Sequence, residues 1–193
     1  DANSRISLSN NDSGGTGGAD STTGNTIFGY LAGGNIDDGS VNNILIGHQT
    51  GKGLADNTND YTQNVIIGGN AGRDMTQGDD NVVVGYNAGR YLQQGDANVL
   101  LGQNTGNAIT NISNNVAIGK NAFSVINGGS GGNVAIGHES MKSAGTAGNN
   151  TAQYNVAIGY QSLLAITDGD NNVAIGSGAG DSITTGEGHV FLG

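Results

Sequence analysis

The sequence predicts an all-β fold, a parallel β-solenoid, and three observations carry that expectation. A short motif recurs ten times, starting at Asn25, Asn43, Asn64, Asn81, Asn98, Asn115, Asn133, Asn155, Asn172 and His189. The spacings are 18, 21, 17, 17, 17, 18, 22, 17 and 17 residues, and all the variation in length falls in one polar loop. Within each copy a frame of 12 residues keeps its character position by position. A unit with a rigid frame and one elastic loop is one coil of a solenoid, whose equivalent residues stack into ladders. Helical repeats need two amphipathic helices and periods above about 30 residues. A degenerate earlier copy is read at Arg5. Residues 1–24 are therefore assigned as a degenerate first coil with a Gly-rich lead-in, and 25–193 as the repeat domain.

Counting the first residue of each copy as offset zero, the elements follow in order. Asn at offset zero suits a stacked position, where side-chain amides hydrogen-bond to the copies on either side. Offsets +1 to +3 form the strand. Offset +1 is Val or Ile except at Thr26, and offset +3 is always apolar, from Phe28 to Leu192. β-Branched residues favour that conformation. Offset +4 is Gly in all ten copies, which marks a bend with positive φ or a close backbone approach. Offset +7 is Ala, Ser or Thr and fits where the coil is narrow. Offset +11 is apolar (Ile36, Leu54, Met75, Leu92, Ile109, Ile126, Ala144, Ile166, Ile183) and belongs to the opposite wall. Polar turns such as "TQGDD" and "TDGDN" then close the coil.

Side chains alternate across a strand, so +1 and +3 share one face and +2 takes the other. The expectation is that +1 and +3 fill the coil. Offset +2 then faces outward, and it is apolar too: Leu45, Ile66, Val83, Leu100, Ala117, Ala135, Ala157 and Ala174. A strand apolar on both faces is buried on both, and a long exposed apolar stripe is rare on a monomer. These eight residues are therefore the candidate interface of a parallel homotrimer. The change from large to small residues along the row implies closer approach of the chains from Ala117 onward.

Composition narrows the function. The chain has 37 Gly, no Pro, no Cys and no Trp, which is not the make-up of a compact core of large side chains. Six Lys and Arg against 16 Asp and Glu leave a net charge of −10, which repels phosphate backbones and argues against nucleic acid. No apolar run exceeds four residues, so nothing here inserts in a membrane as a helix. The sequence starts at Asp1 rather than Met, as in a processed protein or a fragment.

The motif N-V-A-I-G-x-x-A, carried by "NNVAIGKNAF", "NVAIGHES", "NVAIGYQS" and "NNVAIGSGAG", resembles the YadA-like head repeats of trimeric autotransporter adhesins. Similar repeats occur in phage tail fibres. The resemblance covers residues 25–193 and implies a left-handed β-roll, three chains side by side, and attachment to surfaces at a cell or virion exterior. The family's usual period is shorter, so the loops after +11 are larger in this chain. The function it implies is a non-catalytic adhesive or receptor-binding segment. A head-to-tail filament is the alternative, because the motif breaks off at Gly193, mid-coil. The segment I-G-x-x-[AST] also matches one hexapeptide of the left-handed β-helix of acyltransferases. That fold needs apolar residues at +9, where this chain has Lys52, Arg73, Arg90 and Asp181, so the pattern fails.

Candidate sites remain on the walls. Offset +5 carries rings (Tyr30, His48, Tyr86, His138, Tyr160) and offset +6 carries amides (Gln49, Asn87, Asn104, Asn121, Gln161). Together they form a stripe able to bind surface carbohydrate or matrix protein through stacking and hydrogen bonds. His48 and His138 lie five coils apart and cannot share a metal, and no cofactor is expected. Asp37–Asp38, Asp79–Asp80, Asp168 and Asp170 can be read as calcium ligands or an acid/base pair, but turn chemistry is the favoured account. The insertions from Lys52 and Lys142 lie at one corner and are the expected place for ligand contact.

Overall fold

In the computed structural model the described residues are 24–193, apart from 38, 56–57, 127–130 and 144–149. The degenerate copy at Arg5, Asp38 and Ala144 lie outside them. Ten strands follow in chain order: β1 (Thr26–Phe28), β2 (Ile44–Ile46), β3 (Val65–Ile67), β4 (Val82–Val84), β5 (Val99–Leu101), β6 (Val116–Ile118), β7 (Val134–Ile136), β8 (Val156–Ile158), β9 (Val173–Ile175) and β10 (Val190–Leu192). They form one parallel sheet in sequence order, with equivalent residues in register throughout, as in Val82 against Val99 against Val116. Nine coils of about 17 residues thus stack along an axis roughly 43 Å long at ~4.8 Å per strand. The parallel β-solenoid is present as the repeat requires.

Asn at offset zero is the internal spine. The nine asparagines from Asn25 to Asn172 are each at most 1% exposed. Each Oδ1 accepts two bonds from the next coil, from the backbone N–H at 2.8–3.0 Å and, up to Asn172, from the Asn Nδ2 at 3.0–3.3 Å. In most coils the second Nδ2 hydrogen reaches a carbonyl three residues before the next Asn, as from Asn81 to Gly95 at 2.8 Å and from Asn98 to Ile112 at 3.0 Å. The amide therefore has its full complement of bonds while buried. That is why no other residue type serves at this position until His189.

Gly at offset +4 combines both reasons foreseen for it. Its φ is +129 to +139° in every copy, outside the range of ordinary side chains. A Cβ on Gly119 would also lie 2.5 Å from the Gly137 carbonyl oxygen. Beyond it the chain takes left-handed values at +6, +8 and the residue before each Asn, as at Asn104 (φ +55°), Gly106 (+57°) and Asn114 (+62°). Asn and Gly tolerate that region best, which accounts for the composition. Coil-to-coil bonds continue around the turns, so the backbone is paired well outside the strands. At +7 the residues are buried as expected, and Thr50, Thr105 and Ser140 give their hydroxyls to carbonyls of the next coil.

The orientation of the strand is the reverse of the sequence expectation. Leu45, Ile66, Val83, Leu100, Ala117, Ala135, Ala157 and Ala174 have no exposed surface within the single chain and form its core. They cannot be an interface between chains. Offsets +1 and +3 face outward, half-buried or exposed in every strand. The cause is the buried Asn. Offset zero and offset +2 lie on the same face, so an Asn spine inside brings +2 inside with it.

The shift from large to small at +2 also has an internal cause. Offset +8 is interior and lies against the +2 side chains of its own coil and the next. A Cβ on Gly89 would meet Val83 at 3.3 Å and Leu100 at 3.0 Å, and one on Gly106 would meet Leu100 at 2.8 Å. Where +2 is large, +8 is Gly. In the coils from Asn115, Asn133 and Asn155, +8 is instead Phe123, Met141 and Leu163, all fully buried and at positive φ. By the same register each sits between two alanines: Phe123 between Ala117 and Ala135, Met141 between Ala135 and Ala157, Leu163 between Ala157 and Ala174. Three large residues thus account for four alanines. Beyond them, Gly180 makes room for Leu163 on one side and Phe191 on the other. At +11, Ile36, Met75, Leu92, Ile109, Ile126 and Ile166 complete the core from the opposite wall.

Candidate interaction surfaces

Three outward features are positioned by this frame. The first is the sheet face of +1 and +3. Its twenty positions run from Thr26 and Phe28 to Val190 and Leu192, with no charged residue and Thr26 as the one polar residue. Ile44, Ile158, Ile175, Val190 and Leu192 are exposed in the isolated chain. Two apolar rows, about 38 Å long at +1 from Ile44 to Val190 and about 43 Å long at +3, exceed what a soluble monomer ordinarily leaves in water.

The second is the stripe at +5 and +6. Tyr30 and His48 stack with ring centres 5.5 Å apart and planes at 22°, and His138 and Tyr160 stack at 5.6 Å and 6°. Tyr86 lies beside the bare backbone of Gly69 and is 56% exposed. Asn70, Asn87, Asn104 and Asn121 form an outer amide ladder, with Nδ2–H to Oδ1 distances of 3.2, 3.3 and 3.2 Å. Gln49 shares their left-handed backbone, and Gln161 donates to Glu139 at 2.8 Å. The structure therefore brings the stripe together as two ring pairs near its ends and an amide run between. His189 lies apart and tilts against Phe191.

Glu139 also accepts from Lys142 Nζ at 2.8 Å, and these two donors hold its carboxyl at about 2, well below the usual range. A lowered value favours the carboxylate in the folded state. The contribution is present above the unfolded value of 4.5 and is lost as pH falls toward 2. A carboxyl titration followed by NMR should place the Glu139 midpoint below that of an unperturbed glutamate, and Lys142→Ala should raise it.

The acidic turns cap neighbouring coils. Asp79 accepts from Thr62 N–H at 2.6 Å, Asp96 from Asp79 at 2.9 Å, Asp170 from Gln153 at 2.9 Å, and Asp37 from Asn59 at 2.7 Å. These bonds run from coil to coil, between residues 17 to 22 apart in the chain, and not within a single bend. Among the described residues no three His, Asp or Glu side chains converge on a possible cation.

Comparison of the chain with protein-family models, with curated proteins and with solved structures gives no match. Its surfaces are read from their own chemistry.

The third feature was not foreseen. Lys52, Arg73 and Arg90 all occupy offset +9 on consecutive coils, half of the six Lys and Arg in the chain. Backbone bonds hold them in register: Asn35 N–H to Lys52 O (2.8 Å), Gly53 to Arg73 (3.0 Å) and Asp74 to Arg90 (3.0 Å). Arg73 pairs with Asp74 at 2.6 and 2.7 Å, and that hydrogen bonding raises its pKa further. The guanidinium carbons of Arg73 and Arg90 lie 5.9 and 5.1 Å from the Tyr91 ring centre. On the same coils a cavity of about 310 Å³ is lined by Leu54, Thr58, Thr76, Gln77, Gln93 and Gln94. Nearby, Tyr61 is fully buried and donates its hydroxyl to Gly51 O, and burial pushes its pKa up. The recurrence of a cation at one offset was legible in the sequence, had offset +9 been read for charge as well as for hydrophobicity.

Proposed function

We propose that the chain is a non-catalytic attachment segment of an extracellular shaft or head, of the YadA-like kind its motif resembles, whose copies associate side by side as a parallel homotrimer. The observation that carries this reading is the uncharged +1/+3 face. It is apolar along all ten strands although the coil already has its own core, and an equally long, equally periodic face is offered by a second copy of the same chain. Parallel association sets identical rows side by side along their whole length, which no partner of different period would match. The rigid shaft then presents the +5/+6 stripe and the corner loops to surface carbohydrate or matrix protein at a cell or virion exterior.

The test is the mass in solution. Wild-type protein is expected to sediment at three times its 19.2 kDa monomer mass. Val116→Asp with Ile118→Asp, two charges on the outward face, should yield a folded monomer. Monomeric wild-type protein at micromolar concentration would overturn the reading. Ala135→Asp, on the inward face, should instead unfold its coil, because it buries an unpaired charge.

A further inference from the structure

We infer that the wall formed by Lys52, Arg73 and Arg90 is a binding site for an anionic polysaccharide, a chain of sugars carrying sulfate or carboxylate groups. The inference rests on the attachment reading above and names a ligand class for it. Three cations are stacked in register at ~4.8 Å per coil. Like charges that close repel, and the protein could have avoided the cost by placing them elsewhere on a surface of net charge −10. Only Arg73 has an internal counter-ion. Among the described residues the ion pairs are Arg73–Asp74 and Lys142–Glu139, so Lys52 and Arg90 make none with them. Arg90 Nε is buried without a partner, and its guanidinium is held over Tyr91 rather than bonded to an internal acceptor. The outer nitrogens of that held guanidinium, rather than the buried Nε, are the donors an oxyanion would meet.

The cavity identifies the rest of the ligand. Leu54, Thr76 and Gln93 lie two or three residues along the chain from Lys52, Arg73 and Arg90, at most about 11 Å away. Its wall is amide and hydroxyl: Gln94 Nε2 donates to Gln77 Oε1 at 3.0 Å, and Thr76 donates to Gln93 O at 3.2 Å. These groups suit sugar hydroxyls. Tyr91, 40% exposed, adds a ring face. A column of positive charge beside a row of amides fits a linear ligand that is both anionic and hydroxyl-rich. An acidic peptide would meet the cations too, and its backbone can pair with the amides, so poly-glutamate is the polymer that must be compared.

The experiment compares binding of dextran sulfate, uncharged dextran and poly-glutamate to the intact chain. Wild-type protein should bind dextran sulfate at least tenfold tighter than either other polymer, with an affinity that falls as salt rises. Lys52→Gln with Arg90→Gln leaves the Arg73–Asp74 pair in place and should weaken binding at least tenfold. Ser182→Asp with Thr185→Asp, at two exposed positions near the other end of the solenoid, makes the same change in net charge and should change it less than twofold. Lys52→Gln alone, on a surface stem, should show a partial loss, which keeps the test decisive if the double variant melts early. Equal losses in the two double variants, equal binding of poly-glutamate, or no preference for dextran sulfate would each overturn the inference. The Val116→Asp, Ile118→Asp monomer separates this result from the oligomer reading. It keeps the cation wall, so it should bind dextran sulfate whether or not the wild-type protein is a trimer.

Discussion

Asn98→Leu is expected to destabilise the central coils by about 3–6 kcal/mol. Leu matches Asn in shape but removes every bond the amide makes. Asn98 donates to Asn81 Oδ1 and to Ile112 O, and accepts from both the backbone N–H and Nδ2 of Asn115. Asn81 Oδ1 keeps one bond, from the backbone N–H at position 98, and Asn115 Nδ2 keeps its bond to Ser113 O. The Asn115 N–H and the Ile112 carbonyl lose their partners in the interior. A buried group left unsatisfied costs about 1–3 kcal/mol, and two of them dominate the sum. In a solenoid the damage should stay near its origin, because each coil contacts only its neighbours. Hydrogen exchange at the Val99 and Val116 amides should therefore accelerate by a factor of roughly 10² to 10⁴, with less change at Val173. Asn98→Asp should not rescue it, since an acid cannot supply the two amide donors. Unchanged exchange at Val99 would show that the spine is dispensable.

Phe123→Gly is expected to cost about 3 kcal/mol, and Ala117→Leu added to it should restore more than half. Removing a buried Phe leaves a cavity between Ala117 and Ala135, for which large-to-small changes typically cost about 3–5 kcal/mol. Relief of the left-handed backbone at Phe123 (φ +53°) returns about 1–2 kcal/mol of that. In the double variant a leucine at 117 would lie between Gly106 and the new glycine. That is the setting of Leu100, which lies between Gly89 and Gly106. Ala117→Leu alone should be destabilising, because its side chain enters the space of Phe123. Urea midpoints of the four proteins form a double-mutant cycle, with an expected coupling of about 2–3 kcal/mol. Additive effects would mean that +2 and +8 do not share one volume.

Much of the molecule was legible in the residues. The recurrence of Asn, the invariant Gly and the elastic loop predicted coils and their register, because a ladder of identical positions can stack in only one way. The +5/+6 stripe was legible for the same reason. Which face of the strand lies inside was not. Val116, Ala117 and Ile118 are all apolar, so alternation assigns two faces without ranking them, and size favours the wrong one. The clue was at offset +8, where Phe123, Met141 and Leu163 replace Gly in three of the four coils whose +2 residue is Ala. That compensation has meaning only once +2 and +8 are known to touch.

The sequence by itself determined a stacked parallel β-solenoid with an Asn spine, a Gly corner and an acidic, loop-bearing exterior. The tertiary structure decided the direction in which each strand points, and with it the identity of the outward apolar face. That follows from the closing of the coil. Alternation along a strand is a local property, whereas inside and outside exist only after the wall that carries +8 and +11 has folded over it.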